Sequence, residues 1–477
     1  MGRAHPQIET GTLEALREHY DSHGQGHVFR FWDRLDAAGR ERLRTQAAAI
    51  DLPAVLRAHA ASAAAKPGAS DFEPAPVERL PDHGGDPAQF ERAAERGRAL
   101  LAAGRVAACV VAGGQATRLG FDGPKGTFPL GPLTGRSLFE LQAQKIRGLG
   151  RRHGRPLPWY VMTSPATDAA TRGFFARNAN FGLPRDDVVF FVQATVPSAD
   201  FAGRLMLERP DRIFENPNGH GGVLTALLDS GALDDMDRRG IDTLFTYQVD
   251  NPLVRMADPV YLGFHDAARA DMSCKVVCKV DPAEKVGVVA RAGGRIRVIE
   301  YSELDAECRA ARDPAGNLVY WGGNIAIHVF ATAFVRRVAG DAERLLPYHA
   351  SEKPIPTLDA GGRPVTPSRP NARKLERFVF DALPAAKRVC VLEANRCAEF
   401  SPVKNAEGPD SPETARRDLS ARARAWIEAA GIEGIPGERD VEVDHSLIDG
   451  PDDARALGIH RISEAGNAIL TAPGVVS

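Results

Sequence analysis

Seven apolar residues in a row, Val106 to Ala112, run directly into the glycine pair Gly113 and Gly114. The run is strand-sized and far short of a membrane span. Both of its alternating faces are apolar, so a strand here needs cover on each side, as in a sheet flanked by helices. Similar runs recur. Strand candidates at 158–163, 188–192, 243–249, 273–280, 286–290, 296–301 and 323–330 alternate with helix candidates at 137–149, 168–178, 222–230 and 259–268. This alternation predicts an α/β fold with a doubly wound, mostly parallel sheet. Such sheets bind ligands at the carboxyl ends of their strands, and Gly113 follows one of those ends.

Other textures flank this core. Between residues 10 and 62, Leu13, Leu16, Phe29, Trp32, Leu35 and Leu43 recur at helix-like intervals. Residues 64–86 are rich in Pro and Gly and read as a linker or extended arm. A helix over 88–103 then ends at Gly104. Beyond Cys397, Ser411 and Pro412 suit the N-cap and first position of a helix reaching about Ala430. Val441, Val443, Ile469 and Leu470 suggest a few strands after it. The chain therefore divides into a helical N-terminal region with linker (1–104), an α/β domain (105–396) and a small C-terminal domain (397–477).

The formal net charge is −2 over 477 residues, so a nucleic-acid or anionic-membrane partner is not expected. Local phosphate sites remain open, since they need only a few cations. Met1 to Gln7 lacks the apolar core of a secretory signal, and six cysteines do not make a disulfide framework. Cys274 and Cys278 read as reduced core thiols. A soluble cytoplasmic protein acting on small molecules is the expectation.

The loop AGGQATRLGFDGPKGT at 112–127 carries the chemistry. Paired glycines let backbone N–H groups approach a ligand closely. Arg118 and Lys125 add two cations, a combination suited to a polyphosphate. Neither the P-loop pattern nor the dinucleotide fingerprint is present, since Pro124 precedes Lys125 and Gly126 follows it. Asp250 ends the apolar run LFTYQV, a good position for a Mg²⁺ ligand; an Asp there also suits the cap of a turn.

The string from Ala112 to Lys125 resembles the signature of sugar nucleotidyltransferases, in the form found in eukaryotic-type UDP-N-acetylglucosamine pyrophosphorylases and their UDP-sugar pyrophosphorylase relatives. Further blocks in family order are PWYVMTS at 158–164, FFVQ at 190–193, GHGG at 219–222, VDN at 249–251, VGVV at 286–289, EYSE at 300–303, GNI at 323–325, ERFVFD at 376–381 and FSPVKN at 400–405. The resemblance covers about residues 100–410 and implies a Rossmann-like nucleotidyltransferase sheet.

It further implies that UTP and a sugar 1-phosphate give UDP-sugar and pyrophosphate, with Mg²⁺, by in-line attack on the α-phosphorus. Arg118 would meet the β- and γ-phosphates, Lys125 the α-phosphate, and Lys404 the sugar phosphate, with Asp250 on the metal. Ala112, Gly113, Gly114, Gln193, Pro217 and Gly219 would bind the nucleotide. His220, Gly287, Glu300, Asn324, Phe378 and Phe380 would form the sugar side, although the two phenylalanines also suit one face of a strand.

GHGG departs from the GNGG usual in the acetylglucosamine enzymes and looks more like the glucose and UDP-sugar enzymes. EYSE, GGNI and FVFD look more like the acetylglucosamine branch, which is the reading favoured. Glucose or broad sugar specificity is the alternative, and a non-catalytic nucleotide-sugar sensor is a third reading. A glycosyltransferase would normally carry D-x-D, absent from VDN.

Overall fold

The computed structural model describes residues 12–64, 72–301, 303–433, 440–458, 468–471 and 474–476. Met1 to Gln7, Ser302 of the EYSE block and residues 65–71 of the arm lie outside these. The chain forms two compact units, one of Met1–Ala69, Gln193–Gly231 and Val338–Asp381, the other of Ser70–Val192, Ala232–Arg337 and Ala382–Ser477. Each unit draws on three chain segments, whereas the division at 104 and 397 follows chain order.

The larger unit holds a ten-stranded sheet. Its strands are β1 (Phe72–Pro74), β2 (Val106–Val111), β3 (Trp159–Thr163), β4 (Val188–Val192), β5 (Thr243–Gln248), β6 (Met272–Cys278), β7 (Val288–Ala292), β8 (Arg295–Ile299), β9 (Gly322–Ala331) and β10 (Val389–Glu393). The order β4-β3-β2-β5 is parallel throughout. Beyond β5, β9 runs antiparallel and pairs with β6 and β7, while β6 and β10 are parallel. In register, Val111 lies opposite Gln248 on one side and Met162 on the other. The loop after β2 therefore emerges beside the carboxyl end of β5.

The apolar runs behave as their composition requires. Val106 through Val110 are fully or almost fully buried, as are Trp159 through Met162. Part of the expected arm forms an edge strand, β1 against β7, a position in a sheet that tolerates Pro74. β10 was not anticipated from sequence. Its apolar stretch VCVL is short and lies between charged segments, and it becomes a strand by pairing with β6. In β6, Cys274 is a buried free thiol, as expected, whereas Cys278 at the strand's end is a free thiol only partly buried.

In the smaller unit, helices Leu13–Ser22, Ala37–Ala49 and Leu52–Ala64 supply Leu16, Tyr20, Leu43 and Leu52 to a core shared with Leu205, Leu207, Ile213 and Leu358. The N-terminal helices thus pack on strand segments from far along the chain. Ser411 caps the helix Pro412–Ala429 through a reciprocal bond with Thr414, as its sequence predicts. Among the described residues, no helix is long and apolar enough to cross a membrane.

Candidate functional site

In the larger unit, the loop after β2 is pinned at both ends. Ala112 N–H donates to Met162 O at 2.9 Å, Ser164 Oγ–H to Gly113 O at 2.7 Å, and Lys125 N–H to Gly114 O at 3.0 Å. Between these anchors Gly114 faces open space, so its backbone is accessible to a ligand. Lys125 Nζ lies 3.1 Å from Asp250 Oδ2, and both side chains are mostly buried. Arg118 is exposed on the same loop and has no carboxylate in ion-pair reach among the described residues.

Lys404 comes close by a different route. Val403 N–H donates to Asp250 O at 2.9 Å, so the backbone beside Lys404 is fastened to the residue proposed to hold metal. Its amine instead lies 3.6 Å from Asp410 and 5.7 Å from the Phe400 ring centre, about half exposed. Asn251 was missed by sequence reasoning, although it stands in the VDN block. Its amide donates to Glu399 O at 2.7 Å and accepts from Ser401 N–H at 3.2 Å.

Gly287, Glu300 and Asn324 are brought together where β7, β8 and β9 adjoin. Asn324 N–H donates to Gly287 O at 2.8 Å. A Cβ at Gly287 would sit 3.2 Å from Glu300 Oε1 and 2.7 Å from Val298 Cγ1, so any side chain there would force Val298 to shift.

In the smaller unit, Gln193 is buried and its Oε1 lacks a hydrogen-bond donor, as does Oδ1 of buried Asn218. Buried amide oxygens are normally paired, and among the described residues these two have no donor. Pro217 pairs with Thr195 in a short ladder. Gly219 has φ +86°, and a Cβ there would lie 2.5 Å from Arg377 O. Gly221 N–H donates to that same carbonyl at 2.8 Å. The GHGG turn is thus folded against residues 377–379, and Val379 N–H donates to His220 Nδ1 at 3.1 Å.

The ring of His220 stacks on Phe378 at 5.2 Å and 13°, with Phe380 at 5.6 Å. The strand alternative for the phenylalanines does not hold. The strand Ala372–Glu376 ends before them, and Val379–Ala385 forms a tight helical turn. Phe378 also stacks on His349 at 4.4 Å, and His349 Nε2 lies 2.8 Å from Asp381 Oδ2. No sequence pattern signals His349.

Elsewhere in the larger unit, His83, Cys278 and Glu393 place ligand-type atoms within 4.8 Å of one another. The Glu393 carboxylate, however, already accepts from Arg79 at 2.8 Å, Leu80 N–H at 3.1 Å and Cys278 at 3.3 Å, with His83 Nδ1 at 2.7 Å. Burial alone would raise its pKa, but these donors outweigh it and hold the carboxyl below its ordinary range. Burial and that carboxylate push the Cys278 thiol up to about 11. The cluster fastens the arm to the ends of β6 and β10.

A family model described as UTP–glucose-1-phosphate uridylyltransferase matches residues 76–409. The chain belongs to the UTP–glucose-1-phosphate uridylyltransferase family. Within the family it is 40% identical over 465 residues to UDP-N-acetylhexosamine pyrophosphorylase-like protein 1 of Xenopus tropicalis, covering 94% of this chain and 91% of that one. It is 34% identical to the UDP-N-acetylglucosamine pyrophosphorylase of Saccharomyces cerevisiae, covering 86% and 90%. The solved structure of the uridine diphosphate N-acetylglucosamine pyrophosphorylase from Trypanosoma brucei, in complex with inhibitor, superposes with a TM-score of 0.81 at 28% identity, covering 93% and 94%. The uridylyltransferase match includes the loop, Asp250 and Lys404, and stops before the helix Pro412–Ala429.

Proposed function

We propose that this chain is a uridylyltransferase that joins UTP to N-acetylglucosamine 1-phosphate or N-acetylgalactosamine 1-phosphate. A sugar phosphate oxygen attacks the α-phosphorus in line, the bond to the bridging oxygen breaks, and pyrophosphate leaves. The carrying observation is the pair Lys125–Asp250, 3.1 Å apart, Asp250 just past the carboxyl end of β5 and Lys125 at the far end of the glycine-rich loop that follows the adjacent parallel strand β2, with open space at Gly114. A cation for developing phosphate charge and a carboxylate for a metal are what this reaction asks of a protein. Neither a nucleophilic Ser nor a Cys is required.

The donor set fits Mg²⁺. Asp250 offers one hard carboxylate, and Mg²⁺ in phosphate sites takes one or two such ligands, the rest being phosphate and water. When bound, the ion would neutralise phosphate charge. Asp250 holds Lys125 in place through the ion pair, and Lys125 would carry charge at the α-phosphate. Arg118, exposed and with no carboxylate in ion-pair reach among the described residues, would meet the leaving pyrophosphate, and Lys404 would leave Asp410 to meet the sugar phosphate. At an effective dielectric near 20, one cation about 4 Å from a phosphate charge offers on the order of 4 kcal/mol.

For the base, the amide oxygen of Gln193 lacks a donor, and uracil has an N–H to give it. Ala112, Gly113, Gly114, Pro217 and Gly219 would line the nucleotide. For the sugar, Glu300 and Asn324 are suited to hydroxyls, Gly287 keeps space beside Glu300, and the rings of His220, Phe378 and Phe380 offer an apolar face. A second reading, glucose or galactose 1-phosphate as substrate, rests on His220 in place of the usual Asn.

The test is pyrophosphate release from UTP, Mg²⁺ and a panel of sugar 1-phosphates. Fastest release with the N-acetylated sugars supports the proposal. Fastest release with glucose 1-phosphate supports the second reading. Binding of UDP-sugar with no release from any of them would make the protein a sensor.

A further inference from the structure

The loop that follows β5 is held by its carbonyl groups. Gln142 Nε2–H donates to Val249 O at 2.9 Å and Val403 N–H to Asp250 O at 2.9 Å. Lys145, 1% exposed, donates from Nζ to Pro252 O and, at 2.9 Å, to Val254 O. Arg422, 8% exposed, donates from Nη1 to Leu253 O at 2.7 Å. Burying two cations is costly unless strong acceptors meet them, and here the acceptors are consecutive carbonyls of one short loop. That loop begins at Asp250.

Arg422 makes further contacts: Nη2 lies 3.4 Å from His445 Nε2, and the guanidinium sits 4.9 Å from the Trp426 ring centre. Nη1 also lies 3.2 Å from Ala398 O, in the segment that leads through Ser401 and Val403 to Lys404. Asn251 joins the two segments beside it, through Glu399 O and Ser401 N–H. A single buried guanidinium nitrogen therefore ties the strand end carrying Asp250 to the strap carrying Lys404. Arg422 belongs to the helix Pro412–Ala429, outside the residues that the family match covers.

We propose that Arg422 is a positioning residue for uridylyl transfer, setting Lys404 relative to Asp250 from the C-terminal helix. It touches no reacting atom and acts through the two backbones that it bridges. The inference rests on the roles given above to Asp250 and Lys404. Displacement by about 1 Å at a reacting centre can cost on the order of a hundredfold in rate. Arg422→Lys keeps the charge but not the fork, and one amine cannot match the guanidinium geometry.

The experiment is a double-mutant cycle on the full chain with UTP, Mg²⁺ and N-acetylglucosamine 1-phosphate. Arg422→Lys is expected to lower kcat about ten- to a hundredfold, with KM for UTP and UDP-sugar affinity within about threefold. In a Lys404→Ala background the same change should lower kcat by less than about threefold, because the residue it positions is gone. Equal losses in both backgrounds, or no loss in the first, overturn the proposal. If Arg422→Lys does not fold, Asn251→Ser cuts the neighbouring stitch and enters the same cycle with the same two outcomes. An inactive parent protein would count against the proposed function itself and is distinguishable from either result.

Discussion

Lys125 Nζ and Asp250 Oδ2 stand 3.1 Å apart, 125 residues from each other in sequence. Parallel pairing of β2 and β5 creates this contact, because both residues follow the carboxyl ends of neighbouring strands. The pair keeps a mostly buried carboxylate and a mostly buried amine satisfied by one another.

Lys125→Ala is expected to lower kcat about a hundred- to a thousandfold, as loss of one charge-stabilising group does in other group transfers. UDP-sugar affinity should change far less. Steady-state kinetics beside calorimetric binding distinguishes the two; equal losses would mean that Lys125 serves ground-state binding only.

Asp250→Asn should raise the apparent Mg²⁺ requirement by about tenfold or more, since the amide carries no charge for the ion. In the unaltered protein, chelation should abolish turnover and added Mg²⁺ restore it. An unchanged Mg²⁺ titration in the variant would move the metal to another carboxylate.

His220→Asn is expected to shift the ratio of kcat/KM for N-acetylglucosamine 1-phosphate over glucose 1-phosphate by about tenfold toward the acetylated sugar. His220 Nδ1 accepts from Val379 N–H, so the change also frees that donor. A constant ratio would place the sugar away from this ring.

Lys275 is 1% exposed and pairs with Asp258 at 2.8 Å and Glu399 at 2.5 Å. Lys275→Met removes the cation shared by Asp258 and Glu399, leaves Asp258 only Arg255 at 3.5 Å as a cation among the described residues, and is expected to cost about 3–5 kcal/mol. Burial opposes the charge on Asp258, but Arg255 and Lys275 outweigh it and hold the carboxyl near 2. The thermal midpoint is the readout, and a shift below a degree would mean that the group is solvated or repacked.

Stability should fall on acidification through His265. Burial lowers its pKa from 6.5 to about 4, in contact with Ser273 at 2.7 Å. Below pH 6.5 the unfolded chain binds a proton that the folded chain refuses until about pH 4. Stability from this group is therefore complete above pH 6.5 and declines toward pH 4, by about 3 kcal/mol at the end of the window. Denaturant midpoints of the unaltered protein and His265→Gln across this range provide the check: the variant should show the flatter profile.

The parallel half of the sheet was legible because its strands are apolar on both faces and recur between helices. Val106–Val111, Trp159–Thr163 and Val188–Val192 lie within a residue of where the sequence places them. The loop from Ala112 to Lys125 reads from its paired glycines and two cations as suited to a polyphosphate. Strands such as Ala199–Asp200 and Ala372–Glu376 were not legible. They are short and half-polar, and they become a ladder only because they meet across more than a hundred residues of chain. Asn251 showed only as part of the VDN block and Arg422 carried no signal, since a side chain that holds a distant carbonyl looks like any polar residue in sequence.

By itself, the sequence determined the α/β architecture, the glycine-rich turn, and the presence of Arg118, Lys125, Asp250 and Lys404. These follow from local periodicity and from residue chemistry, which need no partner to be read. Tertiary structure alone decided that Lys125 meets Asp250, that Lys404's amine turns to Asp410, that Phe378 stacks on His220 and His349, and that Arg422 bridges two loops. Each of these is a distance between groups far apart in the chain. Such distances are set by the summed packing of the whole core and are written in no single segment of it.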